Sequence, residues 1–322
     1  MTACRSRAFA SVSLALLTLS VLHADVTLRY KAEVKPNPTL PAQDVAVFMK
    51  GMDSAMTQES VLRLKSGKGF STSMGFSSIV DFTTKEITLL DATGKRYAKL
   101  TSDQFGEEMS RAMPEMPDAL RSSMAAMKAD VSPARATGRT AVIQGVEVEE
   151  REIVISVEGP AMPNMPPGPM VKMVIQIWSA KPDEVTRVPA IRELTGYSLW
   201  SYATMNPTAF MGKTMKQLPG FSDLLEPLMK EMQTGTTVLR THMEMFMPAM
   251  AAMLQRMPAG SNPSGASFDP NEPFMQMNQE VAELSTAPVP DSVFQIPEGY
   301  QPAPASELIK GVLAKSRAAF KQ

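Results

Sequence analysis

Thioethers and one imidazole are the side chains here with the most chemistry to offer. The 322 residues include 27 methionines, about twice the 13 phenylalanines, and they come in bursts. Methionine is flexible and polarizable, fills irregular gaps and recurs on promiscuous apolar binding surfaces. Thioethers also bind Cu(I). The densest burst is "THMEMFMPAMAAMLQRM", from Thr241 to Met257. On a strand, Met243, Met245 and Met247 share one face with Leu239, and Arg240, His242 and Glu244 take the other. A mixed His/Met copper site would need both faces of one strand, which the geometry forbids locally. Plain core packing, the lining of an apolar cavity and an all-methionine copper site with a helix methionine all stay open.

Other chemistry has little to build on. His23 and His242 are the only histidines and Cys4 the only cysteine, so a zinc site of His/Cys type has too few ligands. A serine triad would depend on His242, and "GFSSI" and "GFSDL" lack the second glycine of a nucleophile elbow. Carboxylate pairs such as Glu149/Glu150 read as solvated strand faces. No glycine-rich phosphate loop is present, so the expectation is a non-enzyme without cofactor or bound metal. The formal net charge of −1 comes with no basic stripe, which argues against a nucleic-acid partner.

The N-terminus reads as an export signal. Arg5 and Arg7 precede an apolar stretch from Ala10 to Leu22, and Leu22-His23-Ala24 ends it with a small residue at the cleavage position. Residues 1–24 are expected to be cleaved, leaving residues 25–322 as a single domain in the periplasm or outside the cell. Cys4 lies ahead of the apolar stretch rather than at the junction, so it is not a lipid anchor. Without it the mature chain has no cysteine and must be held by its core alone. After cleavage no integral membrane segment is expected.

The elements that must position the methionines are mainly strands. Val26, Leu28, Tyr30, Ala32 and Val34 alternate with polar residues, the mark of a half-buried strand. Val61–Lys65 and Lys68–Met74 flank a Ser66-Gly67 turn, and strands follow at Ser77–Phe82, Lys85–Leu90 and Lys95–Leu100. The period then becomes helical. Phe105, Met109, Met113, Met116, Leu120, Met124 and Met127 recur in steps of three and four, with Pro114 and Pro117 dividing the helix. Strands resume near 139–150, 152–158 and 171–179, the last placing Met173 and Ile175 on one face. Further strands fall at 236–247 and 274–284. Helical insertions are expected near 101–130 and 184–233, with a Met-rich helix from Pro248 and a C-terminal helix near 305–320 capped by Ser306. A short helix or loop would occupy 44–59.

This order of elements resembles an exported bacterial family of unknown function, itself similar to the LolA/LolB-like lipoprotein-carrier superfamily. The phrases that carry the resemblance are "IVDFTTKEITLLDATGKRYAKL", "TAVIQGVEVEEREIVISV" and "VKMVIQIWSAKPDEVTRVPAIREL". "DSVFQIPEGYQP" looks like the closing strand of such proteins. The resemblance spans about residues 26–302. Family members often carry a cysteine three residues after the glycine matching Gly145; Val148 stands there in this chain. The resemblance implies a mainly β fold with inserted helices, a LolA-like curved antiparallel half-barrel of about nine or ten strands. It also implies an apolar concave face able to hold acyl chains.

The resulting expectation is a non-enzymatic periplasmic protein that holds a lipid, an acyl chain or a hydrophobic partner segment. Met109, Met116, Met124, Met127, Met173, Ile175, Met243, Met245 and Met247 would line the site, with the strand methionines opposite the helical stripe. The alternatives are a Met-rich Cu(I)-binding protein and a structural domain whose filled core holds no ligand.

Overall fold

Period-two segments joined by tight turns bury their apolar faces by pairing side by side. Among the described residues thirteen strands do so in one large curved, unclosed sheet. The structure is a computed structural model describing residues 24–40, 60–73, 76–112, 126–159, 168–204, 236–256 and 269–321, with 118, 122, 230 and 234 between them. The strands are β1 (Val26–Pro36), β2 (Ser60–Lys65), β3 (Lys68–Ser73), β4 (Phe76–Asp81), β5 (Glu86–Asp91), β6 (Arg96–Thr101), β7 (Lys128–Val131), β8 (Arg135–Ile143), β9 (Val146–Glu158), β10 (Val171–Ala180), β11 (Val238–Phe246), β12 (Met275–Ser285) and β13 (Gln301–Pro302). The helices are α1 (Ser102–Ala112), α2 (Pro182–Arg187), α3 (Pro189–Thr204), α4 (Pro248–Arg256) and α5 (Ala305–Lys321).

The spatial order is β13-β6-β5-β4-β3-β2-β1-β12-β11-β10-β9-β7, with β8 also paired to β9. Two antiparallel meanders are thus joined where β1 pairs with β12 from Thr27 to Pro36. β1 is paired on both edges, and its alternation holds: Val26, Leu28 and Val34 are buried while Lys31, Glu33 and Lys35 are exposed. Tyr30 donates its hydroxyl proton to the Val238 carbonyl (2.9 Å), tying β1 to the start of β11.

Turn chemistry fixes the register. Ser66 and Gly67 are both left-handed (φ 47° and 78°), as are Gln144 and Gly145 (φ 50° and 76°). Two such residues in a row match the twist of the flanking strands. Asp81 Oδ1 accepts from the backbone of Thr83 (2.9 Å) and Thr84 (3.0 Å), and Asp91 Oδ1 accepts from Gly94 (3.1 Å), so the next two hairpins share one device.

The expected break between 150 and 152 lies instead at Gln144-Gly145. β9 runs unbroken, but it changes its buried face midway: Val146, Val148 and Glu150 point into the core, then Ile153 and Ile155 do. The loss of strict alternation at Arg151 and Glu152 imitates a strand end. Thirteen strands exceed the expected nine or ten, in part because β7 and β13 are too short to show a period. β7 occupies the end of the segment expected to be helical through 130, and pairs Val131 with Ile155. "DSVFQIPEGYQP" is not a strand: Asp291–Phe294 is a 3-10 turn and only Gln301–Pro302 pairs, in parallel, with β6. Pro297 and Pro302 supply no ladder donors there. α5 begins at Ala305, with the Pro304 carbonyl accepting from Glu307 (3.1 Å), so Ser306 falls inside the first turn rather than at the cap.

Two apolar cores carry most of the fold. The first packs Val26, Leu28, Leu64, Val148 and Leu239 against Ile191 and Leu194 of α3. The second packs Val80, Ile87, Leu89 and Leu100 against α1 and α5 through Phe105, Met109, Leu308 and Ile309. Phe82 bridges them, its ring 5.5 Å from Tyr197 and 4.7 Å from Trp200. Residues 1–23, the segment 41–59, Met113, Met116, Leu120 and Met124 of the helical stripe, and 205–229 lie outside the described residues.

Candidate functional site

Directly opposed residues in a ladder share a face of the sheet, so the registers place the site without ambiguity. Ile153 opposes Ile175, Ile175 opposes Met243, Met243 opposes Met277, and Met277 opposes Val34. One row of five apolar side chains therefore crosses β9, β10, β11, β12 and β1. Two residues along the strands runs a second row: Val131, Ile155, Met173, Met245, Met275 and Pro36. Neither row contains a charged or hydrogen-bonding side chain.

The strands bury these residues to different depths. Ile153 (0% exposed), Ile155 and Met275 (2%) are buried, whereas Met173, Ile175, Met243, Met245 and Met277 are half-buried. Met243, Met245, Met275 and Met277 form a two-by-two block with Phe274 and Val34. Met173 and Ile175 continue it into the isoleucine cluster around Ile153, Ile155 and Ile177. Val34 and Pro36 close the surface on the β1 side.

The reverse face of the same strands is polar. Arg240 Nε bonds Glu280 Oε2 (2.6 Å), His242 Nδ1 pairs with Asn278 Oδ1 (2.6 Å), and His242 Nε2 lies 3.4 Å from Glu244 Oε1. Arg240 lies over the Trp178 ring at 5.5 Å and Lys172 over Phe246 at 5.7 Å. Imidazole and thioethers of this burst therefore stand on opposite sides of one sheet. Among the described residues no group of three or more His, Cys, Asp and Glu side chains gathers as a metal site.

Of the residues singled out in the sequence, Met173, Ile175, Met243 and Met245 come together on this surface. Met247 lies beyond the end of β11, where its carbonyl accepts from Ala251 in the first turn of α4 (3.0 Å). Met109 packs separately, in the α1–α5 core. The described part of the helical stripe thus does not face Met243 and Met245. Met127 is half-buried just before β7, and Met116 and Met124 lie outside the described residues. Met275, Met277, Ile153, Ile155 and Val34 belong to the surface and were not singled out. The period-two pair Met275/Met277 was legible; what the sequence lacked was the register that sets it against Met245 and Met243.

Glu150 corrects the reading of Glu149/Glu150 as solvated. Glu149 is exposed, but Glu150 is 1% exposed and is held by an ion pair with Arg139 and by the Thr137 hydroxyl (3.3 Å). At the β8–β9 turn, Arg187 holds the Glu184 carboxyl below the usual carboxylate range and also donates to the Gly145 carbonyl (2.9 Å). This cluster fastens α2 to the turn.

No family model matches the chain, and no curated protein is similar to it. Among solved structures it is similar to lipoprotein LppX of Mycobacterium tuberculosis. That likeness covers 84% of this chain and 90% of LppX, at 9% identity and a TM-score of 0.26. A likeness this distant carries no argument about residues or ligands. Among the described residues no helix is long and apolar enough to cross a membrane.

Proposed function

We propose that this protein is an exported, non-enzymatic carrier or receptor, of LolA-like half-barrel type, that holds an apolar ligand on its methionine–isoleucine face. The observation that carries the reading is a charge-free surface crossing six strands, with half-buried side chains at its centre. Ile153, Ile155 and Met275 are buried, while Met173, Ile175, Met243, Met245 and Met277 keep part of their surface exposed. Methionine suits such a face because its unbranched side chain adapts to a ligand of variable shape. Buried apolar area stabilises a bound chain by roughly 25 cal/mol per Å². A lipid or acyl chain is the ligand class this surface fits, and titration with a neutral fluorescent alkyl probe tests it directly. Saturable binding is expected, and its absence overturns the reading.

A second reading has one observation in its favour. Met243, Met245, Met275 and Met277 form a block on adjacent strands, and thioethers are soft ligands suited to Cu(I). Competition against a Cu(I) chelator distinguishes it. One copper bound per chain, lost in a Met243→Leu/Met277→Leu variant that still binds the alkyl probe, would establish copper in place of packing at that block.

A further inference from the structure

Sulfur is concentrated at the centre of the apolar face. Five thioethers stand side by side there: Met173, Met245 and Met275 are consecutive in one row, and Met243 and Met277 are neighbours in the next. Met275 is 2% exposed, while Met173, Met243, Met245 and Met277 keep part of their surface in solvent. A thioether has one reaction open to it in an oxidising medium, conversion to the sulfoxide, which turns a flexible apolar side chain into a polar one.

The surroundings of these sulfurs decide what that reaction does. Met245 is bordered on its face by Met173 and Met275 across the ladder, by Met243 along the strand, and by Ile175 and Met277 on the diagonals. None of these side chains can donate a hydrogen bond. Thr241 and Gln279 stand one step beyond Met243 and Met277, not beside Met245. A sulfoxide oxygen at Met245 would therefore hold water on the face, and covering it with an alkyl chain would strip that water without replacement. The two large cores contain little sulfur: among the described residues the first packs no methionine and the second only Met109. Oxidation strikes the binding face and spares the packing that holds the strands.

We propose that Met173, Met243, Met245 and Met277 form a sulfoxidation site for peroxide, and that their oxidation closes the face to apolar ligands while the fold persists. This rests on the apolar-ligand reading and adds its regulation. The thioether lone pair attacks one oxygen of hydrogen peroxide, so that an S–O bond forms as the O–O bond breaks. The departing hydroxide takes the proton from the new S–OH group and leaves as water; sulfur is oxidised and the peroxide reduced. A ligand lying along the rows covers the same sulfurs, so occupancy and oxidation oppose each other.

Treatment of the purified protein with hydrogen peroxide tests it, read by titration with N-dodecyl dansylamide (a neutral fluorescent alkyl probe), circular dichroism and peptide mass spectrometry. Met253, 42% exposed on α4, reports the dose of oxidant. Protein carrying sulfoxide at Met243, Met245 and Met277 should keep its spectrum and bind the probe at least about tenfold more weakly, the factor that ~1.4 kcal/mol represents. Met275 should be the last of the five to oxidise, and saturating probe should slow sulfoxidation at Met245 but not at Met253. A Met173→Leu/Met243→Leu/Met245→Leu/Met277→Leu variant, which conserves volume, should bind the probe alike before and after peroxide. Undiminished binding by the oxidised wild type, a face left unoxidised at a dose that oxidises Met253, a spectrum lost together with binding, or an equal loss in the leucine variant overturns the sulfoxidation site and leaves the apolar-ligand reading standing. An untreated wild type that does not bind the probe overturns both. If the leucine variant does not fold, the order of oxidation and the protection by probe in the wild type decide.

Discussion

Glu150 is a carboxylate at 1% exposure, and Arg139 reaches in to meet it from a side chain that is itself 55% exposed. Removing the cation leaves the buried charge with only the Thr137 hydroxyl. Arg139→Ala should therefore cost about 1–3 kcal/mol, the penalty of a buried group left short of partners. Chemical denaturation of the variant measures it. A Glu150→Leu/Arg139→Ala double variant should recover much of that loss, because replacing a buried pair by apolar groups is often neutral. Leu28 makes the opposite case on β1. It is 2% exposed in the first core, and its neighbour Thr27 is half-buried on the other face. Leu28→Ala should cost about 2–5 kcal/mol and Thr27→Ala much less; equal losses would mean that the burial of β1 does not follow its alternation.

At the scale of elements, the hairpins depend on a few left-handed residues. Gly145 has φ 76° and open space around its missing Cβ, so Gly145→Ala meets no neighbour and pays only for its backbone. That cost is roughly 1–2 kcal/mol for an L-residue in the left-handed region, and a thermal melt reads it. Loss of β8–β9 pairing instead of a simple stability decrement would show that this turn directs the register. Elements with strong local signals were legible from the sequence: β1 by its alternation, and the first meander by the Ser66-Gly67 turn and the short strands that follow it. Those that misled depend on long-range context. β9 switches its buried face because its two halves pack against different layers, and β7 exists because β9 offers it an edge. The methionine surface was half legible. Period two placed Met243 and Met245 together, but only pairing with β12 adds Met275 and Met277, and only β9 supplies the isoleucines.

For the whole molecule, the junction of the two meanders is the point on which the surface depends. Tyr30 spans it, and burial first, then the neighbouring Tyr197, pushes its phenol above the ordinary tyrosine range; burial does the same to Tyr197. A raised pKa means that the fold favours the neutral phenols. Their contribution is complete below about pH 10, the unfolded value, and is lost as pH rises through the folded values. Alkaline titration should show these two tyrosines ionising together with unfolding, and Tyr30→Phe should remove part of that pH dependence. Ionisation of Tyr30 and Tyr197 at about pH 10, the unfolded value, with the fold intact would contradict the upward shift that burial gives them.

The central claim is that the methionine–isoleucine face binds rather than merely packs. Met245 stands in the middle of the second row, opposed by Met173 on one side and Met275 on the other. Titration of wild type and Met245→Glu with a neutral fluorescent alkyl probe, alongside circular dichroism of both, tests that claim most directly. Saturable binding by the wild type, weakened about tenfold or more in a variant that keeps the wild-type spectrum, is the predicted result, a change that ~1.4 kcal/mol produces. A wild type without saturable binding, or a folded Met245→Glu that binds the probe as tightly, would contradict it.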